Sequence, residues 1–183
     1  AASMAKAIEE ILGDKLTQGI VNVKYGHTVP LRKIKINEAA HPVPDEAGIA
    51  GSKEIIELLK KTDDKDLVIC LISGGGSALL PSPAGNLTLE DKQAVTKALL
   101  ECGANIHEIN SIRKQISAVK GGRLAALVYP SRLISLILSD VIGDDLDVIA
   151  SGPTVPDTHT FHDCRNIIQK YKLDERVPKR VIE

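Results

Sequence analysis

The segment LVICLISGGGSALLPSP (67–83) constrains the fold more than any other part of the chain. Six apolar residues run into a serine, three glycines and a second serine, after which the sequence turns apolar again. An apolar run this short, bounded by glycine and lacking polar alternation, predicts a strand buried on both faces. RLISLILSD (132–140) repeats the pattern. Such strands belong to parallel sheets that carry helices on both faces.

The rest of the chain supplies those helices. An opening helix groups Met4, Ile8, Ile11 and Leu12 against Lys6, Glu9 and Glu10. GIVNVK (19–24) reads as a strand, and KIKINEA (33–39) alternates as an edge strand does. EAGIAGSKEIIELLKK (46–61) has a helical period. Thr88, with Asp91 three residues on, caps a helix that follows. NIHEINSIRKQIS (105–117) forms another, with Ile106, Ile109, Ile112 and Ile116 as its apolar stripe. A last helix starts near His162. The fold class expected is α/β, a parallel sheet with helices on both faces.

Composition removes several classes of function. The 183 residues suit one domain, and 43% hydrophobic content is ample for a core. A net charge of −1 creates no field for nucleic acid or an anionic membrane, and 2% aromatic content argues against base stacking. No apolar run reaches the roughly 18 residues of a membrane span. Cys70, Cys102 and Cys164 are scattered and odd in number, which suits reduced thiols in a cytoplasmic setting. The sequence opens inside a helix and stops in VPKRVIE, so truncation at both ends is expected.

Unusual residues fall where strands end. Ser73, Gly74, Gly75, Gly76 and Ser77 follow one buried strand, Asp140 follows another, and His41 follows the strand at 33–39. In an open parallel sheet these ends share one rim, where ligands bind. SGGGS matches neither G-x-G-x-x-G nor the Walker pattern. Bare backbone and two hydroxyls suit an anion, while the plainer alternative is a tight turn packed against a neighbour. On an ideal helix Asn110, Arg113 and Ser117 share one sector beside the isoleucine stripe, with Lys120 and Arg123 around Gly121 and Gly122. That arrangement fits either a carboxylate or phosphate clamp or a solvated basic face. Asp140 suits Mg²⁺ binding or acceptance of a hydroxyl proton. Asp144, Asp145 and Asp147 read as loop residues, His107 as solvated, and His159, His162 and Cys164 as structural.

Four motifs, NEAAHPVPDEAG, LISGGGSALL, IHEINSIRKQISAVKGGRLA and LSDVIGDDLDVIASGPTVPD, together resemble the glycerate 2-kinase family with its MOFRL second domain. The resemblance spans nearly all of the chain. It implies a Rossmann-like N-terminal domain over 1–183, lacking the first glycine-rich strand-turn with its lysine and the C-terminal MOFRL domain. It implies ATP-dependent phosphorylation of D-glycerate to 2-phosphoglycerate with Mg²⁺, in a cleft closed by the C-terminal domain. The residues alone leave the choice of hydroxyl and any homo-oligomer open.

Under that resemblance Ser73 to Ser77 and Lys120 would hold ATP phosphates, and Asp140 would orient Mg²⁺ or deprotonate the attacking hydroxyl. His41, Asn110 and Arg113 would border or fix the substrate. Gln115 stands where the family commonly has histidine, and Ala40 where it commonly has glycine. The rival readings are a hydroxypyruvate reductase-type oxidoreductase, which the missing dinucleotide fingerprint disfavours, and a nucleotide-binding fragment without turnover. The 183-residue chain alone is expected to show no glycerate-dependent ATP use.

Overall fold

A computed structural model describes residues 1–182. The chain forms α1 (Ala2–Leu12), β1 (Gly19–Lys24), β2 (Ile34–Ala39), α2 (Glu46–Leu59), β3 (Leu67–Ile72), α3 (Gly76–Leu79) and α4 (Leu89–Glu101). It continues through α5 (Ile106–Gln115), α6 (Arg123–Val128), β4 (Arg132–Ile137), α7 (Phe161–Lys170) and α8 (Lys179–Ile182). These divide into two compact units, Ala1–Pro81 with Leu127–Asp140, and Ser82–Ala126 with Val141–Glu183.

Among the described residues the first unit holds every strand, and the pairing is parallel as the apolar runs predict. β1 pairs with β2 in register from Gly19 opposite Ile34 to Lys24 opposite Ala39. β3 pairs with β4 from Leu67 opposite Arg132 to Ile72 opposite Ile137. The ladders form two two-stranded pairs. Ala2 and Ala5 of α1 pack with Val21 and Val23, so the smallest residues of the helix, and not Ile11 at 77% exposure, meet the strands. Glu9 accepts hydrogen bonds from the backbone N–H groups of Arg32, Lys33 and Ile34, which pins the entry to β2. Those bonds, that from Lys33 foremost, hold its carboxyl below the ordinary range.

Burial of β3 and β4 on both faces is not what the structure has. Along β4 exposure alternates, with Ile134 and Leu136 open to solvent, and Leu67 of β3 and Leu138 beyond β4 are exposed as well. An apolar run records that neither side is polar; it does not record how much of the chain is available to cover each side. Among the described residues, one side of β4 stays uncovered.

The second unit is helical. Val95, Ala98 and Leu99 of α4, Ile109, Ile112 and Ile116 of the α5 segment, and Cys164 and Ile168 of α7 form its core. Ile106, the first member of the predicted stripe, is half exposed because it lies in the opening turn. Reciprocal capping boxes start three helices, Thr88 with Asp91, Asn105 with Glu108, and Thr160 with Asp163. No described helix is long and apolar enough to cross a membrane.

Candidate functional site

In the first unit three strand ends meet, as the sequence predicts. β3 ends at Ile72, and Ser73 accepts the N–H of Gly76 at 3.2 Å, which turns the chain into α3. Gly75 caps α3 in the left-handed conformation, φ 79°. A β-carbon on Gly75 would lie 2.8 Å from Nε2 of His41, and one on Gly74 would lie 2.5 Å from Oδ2 of Asp140. The two glycines therefore do more than free the backbone. They let an imidazole from the segment after β2 and a carboxylate from the segment after β4 lie directly against the loop. Asp140 is exposed and His41 half-buried, so both remain open to a ligand. Ser73 Oγ accepts a hydrogen bond from the amino group of Ala1 at 2.9 Å.

The second unit gathers cations. Lys114 has no solvent exposure and is ion-paired to Asp147 and, at 3.4 Å, to Asp157. Gln115 donates to Asp157 at 2.9 Å and accepts from Arg123 at 3.0 Å, and Arg123 also donates to the carbonyl of Lys114. The departure from the family pattern at Gln115 thus leaves a structural amide inside this network. Asp147 lies in the loop, as expected, and serves there as a counter-ion as well. Nothing in the sequence marks Lys114, because its partners lie far along the chain and a lysine on a helix ordinarily faces water.

Lys120 is buried, and its ammonium donates to the carbonyl of Ala150 at 3.3 Å. That carbonyl sits in a run of three left-handed residues, Ala150, Ser151 and Gly152. Left-handed geometry at two non-glycine positions costs roughly 1–3 kcal/mol each, and several bonds hold the run in place. Ser151 Oγ donates to Oδ1 of Asn110 at 3.2 Å, Gly121 N–H donates to Ser151, and Gly122 N–H donates to Gly152 at 2.8 Å. The KGGR and SGPT motifs are therefore one local structure. Gly122 sits so close to Val155 that a β-carbon would lie 2.9 Å from its carbonyl oxygen. Asn110 is buried, and its side-chain carbonyl accepts a hydrogen bond from Ser151.

Arg113 is half-buried, and burial lowers its pKa. Lys92 of α4, 7% exposed, donates to the carbonyl of Ile116 at 3.2 Å. Burial first, then the charges of Arg113 and Arg123, push its pKa down to about 8. Lys120 is driven well down by burial, then by Lys92 and Arg113. The solvated-face alternative for Arg113 and Lys120 is hence wrong for Lys120, which lies inside. Among the described residues no three histidine, cysteine or acidic side chains gather as a metal cluster, and His159, His162 and Cys164 do not.

Strand ends that bring hydroxyls, an imidazole and a carboxylate to one place mark the α/β proteins that bind ligands at the carboxyl edge of parallel strands, and the first unit is built in that way. The chain belongs to the family described as "Domain of unknown function (DUF4147)", whose model matches residues 1–183. It is 46% identical to a protein of Thermotoga maritima named "D-glycerate 2-kinase", over 98% of this chain and 44% of that protein. It is 51% identical to a "Putative hydroxypyruvate reductase" of Agrobacterium vitis, over 94% of this chain and 45% of that protein. A crystal structure of glycerate kinase from Thermotoga maritima superimposes with a TM-score of 0.94 at 46% identity, over 100% of this chain and 45% of that one. A Pyrococcus horikoshii structure gives 0.95 at 49% identity, over 99% and 41%. The chain spans under half the length of these relatives.

Proposed function

We propose that the chain serves an ATP-dependent glycerate kinase that phosphorylates D-glycerate to 2-phosphoglycerate, in the cytoplasm. The observation that carries this reading is the approach of His41 and Asp140 to the loop Ser73–Ser77. Phosphoryl transfer asks a protein mainly for positioning and charge stabilisation, and the loop supplies hydroxyls and bare backbone for nucleotide phosphates. Asp140 accepts the proton of the attacking hydroxyl, and His41 borders the acceptor. In the second unit Arg113 and the amide of Asn110 fix the ligand while Lys120 offsets phosphate charge. Catalysis takes place in a cleft that a further domain closes, and the 183 residues alone do not turn over.

Mg²⁺ fits this donor set in one way. It is usually held by one or two carboxylates together with substrate phosphates, and Asp140 is an exposed lone carboxylate beside the phosphate loop. When bound, the ion would neutralise charge on the phosphoryl oxygens. The names of the relatives support a kinase acting on glycerate, and the experiment is ADP release by the full-length protein with Mg-ATP, with and without D-glycerate. Release that requires D-glycerate is expected; its absence in folded protein removes this reading.

A second reading has one observation behind it, the name of the 51%-identical Agrobacterium vitis relative. Reduction of hydroxypyruvate needs a nicotinamide site, and the chain has no G-x-G-x-x-G. NADH oxidation dependent on hydroxypyruvate, without glycerate-dependent ADP release, would establish it over the first.

A further inference from the structure

β1 and β2 carry asparagines directly opposite each other, Asn22 and Asn37. Asparagine is disfavoured in strands, and Asn22 is 8% exposed, so its amide must find partners inside the protein. The two side chains supply them in series. Asn37 Nδ2 donates to the carbonyl of Ala47 in α2 at 3.0 Å and to Oδ1 of Asn22 at 3.2 Å. Asn22 Nδ2 in turn donates to the carbonyl of Leu79 at 2.7 Å. Leu79 closes α3, and its own N–H donates to the carbonyl of Gly75 at 3.2 Å. One residue therefore joins the buried amide of β1 to the glycine that lies against His41.

The helix above the pair is shaped for it. Gly48 and Gly51 of α2, one turn apart, are both buried. A β-carbon on Gly51 would collide with Oδ1 of Asn22 and Nδ2 of Asn37, and one on Gly48 would stand 2.9 Å from Cγ of Pro81. So α2 sits close enough to enclose the amides and to touch the chain two residues past α3. A helix of four residues cannot hold itself together, and its place has to come from outside contacts such as these. Two β-branched residues at 22 and 37 would suit the strands better and would offer the Leu79 carbonyl no donor.

We propose that Asn22 is a positioning residue for the loop Ser73–Ser77, with Asn37 holding its amide in the donating orientation. The brace itself follows from the hydrogen bonds; its purpose, to preorganise bare backbone for nucleotide phosphates, rests on the kinase reading. Asn22 fixes where α3 ends, and the turn from Leu79 back to Gly75 carries that placement to the loop.

The test uses the full-length protein and two readouts. Amide hydrogen exchange over residues 73–80 reports on the loop, and calorimetric titration of ADP reports on its use. Asn22→Asp keeps the shape and the acceptor but puts an oxygen where the donor to Leu79 was; Asn22→Ala removes both. In each, exchange over 73–80 should quicken and ADP should bind more weakly, both by about fivefold, the scale of one net hydrogen bond. Exchange in α5 should not change. The KM for Mg-ATP should rise while that for D-glycerate stays, a split that a general loss of stability does not produce. Asn37→Ala should act in the same direction and add little in the Asn22→Ala background, because it works through Asn22. Should Asn22→Ala not fold, Asn22→Asp and Asn37→Ala carry the test.

Unchanged exchange over 73–80, or exchange that quickens equally throughout the chain, overturns the proposal. So does an unchanged ADP affinity in a variant of a parent that binds ADP, and in that case the kinase reading survives. A parent that binds no ADP, with variants that still loosen the loop, would defeat the kinase reading and leave the brace standing.

Discussion

Gly75 lies so close to His41 that a β-carbon on it would stand 2.8 Å from the imidazole Nε2. Its φ of 79° adds a second demand for glycine, because left-handed geometry costs other residues roughly 1–2 kcal/mol. Gly75→Ala should therefore lower unfolding free energy by about 1–3 kcal/mol and displace the ring. Gly74→Ala differs in kind. Its β-carbon would meet only the tip of the Asp140 side chain, which is exposed and can rotate. Stability should stay within about 1 kcal/mol of the parent while turnover drops, since the carboxylate is pushed aside. Urea melts with kcat on the same preparations check both. Equal destabilisation by the two variants would mean the close approaches do not govern the loop.

Asp140→Asn keeps the shape of the side chain and removes its charge and basicity. For a group that accepts the hydroxyl proton, kcat of the full-length protein should fall by at least about 100-fold. An exposed position predicts a stability change within about 0.5 kcal/mol. Near-normal ADP release would take Asp140 out of the chemistry and leave it as a neighbour of the loop.

Lys114 makes a structural prediction. Its ammonium is the shared counter-ion of Asp147 and Asp157, which are 26% and 10% exposed. Lys114→Met would leave two partly buried carboxylates facing each other without it, and removal of one partner from a buried pair costs about 3–5 kcal/mol. Asp157→Asn should cost less, because Asp147 still neutralises the lysine. Chemical denaturation of both variants decides this, and a loss below about 1 kcal/mol in Lys114→Met would show that the network adds little.

The legible parts of this chain were the local ones. Thr88 and Asp91, three residues apart, announced the start of α4, and the spacing of Ile109, Ile112 and Ile116 gave the buried face of α5. The strand-end rule brought the glycine loop and Asp140 together from sequence, because β3 and β4 pair in parallel, whereas His41 follows β2 in a separate ladder and its place beside Gly75 is a finding of the structure. What depended on distant partners was hidden. Lys114 looks like any surface lysine until Asp147 and Asp157 are placed beside it. The division into two units was equally hidden, since one passage between them, at Ala126 and Leu127, falls inside α6 and not in a glycine- or proline-rich linker. The glycine loop offered an anion cradle or a tight turn, and the close approach of His41 and Asp140 gives Gly74 and Gly75 a further reason to be glycine.

Lys92 links stability to pH in a direction opposite to that of a salt-bridged lysine. Burial, then Arg113 and Arg123, lower its pKa to about 8 from an ordinary 10.5. Below about 8 both the folded and the unfolded chain carry its proton, and the folded state bears the full cost of a buried, repelled charge. Between about 8 and 10.5 the unfolded chain binds more protons at this site than the folded one, so the free energy of unfolding rises with pH. The gain across that window is on the order of 3 kcal/mol. Lys120, also lowered, contributes with the same sign, so the informative quantity is the difference between the parent and Lys92→Met. In the variant the rise should shrink, and near neutral pH, without ligand, it should be more stable than the parent by about 1–3 kcal/mol. Urea melts at about pH 7 and about pH 10 on both proteins measure this. A stability gain at neutral pH would identify a buried charge that the fold carries at a cost, whereas a loss of stability on substitution would show that Lys92 holds α4 to the carbonyl of Ile116.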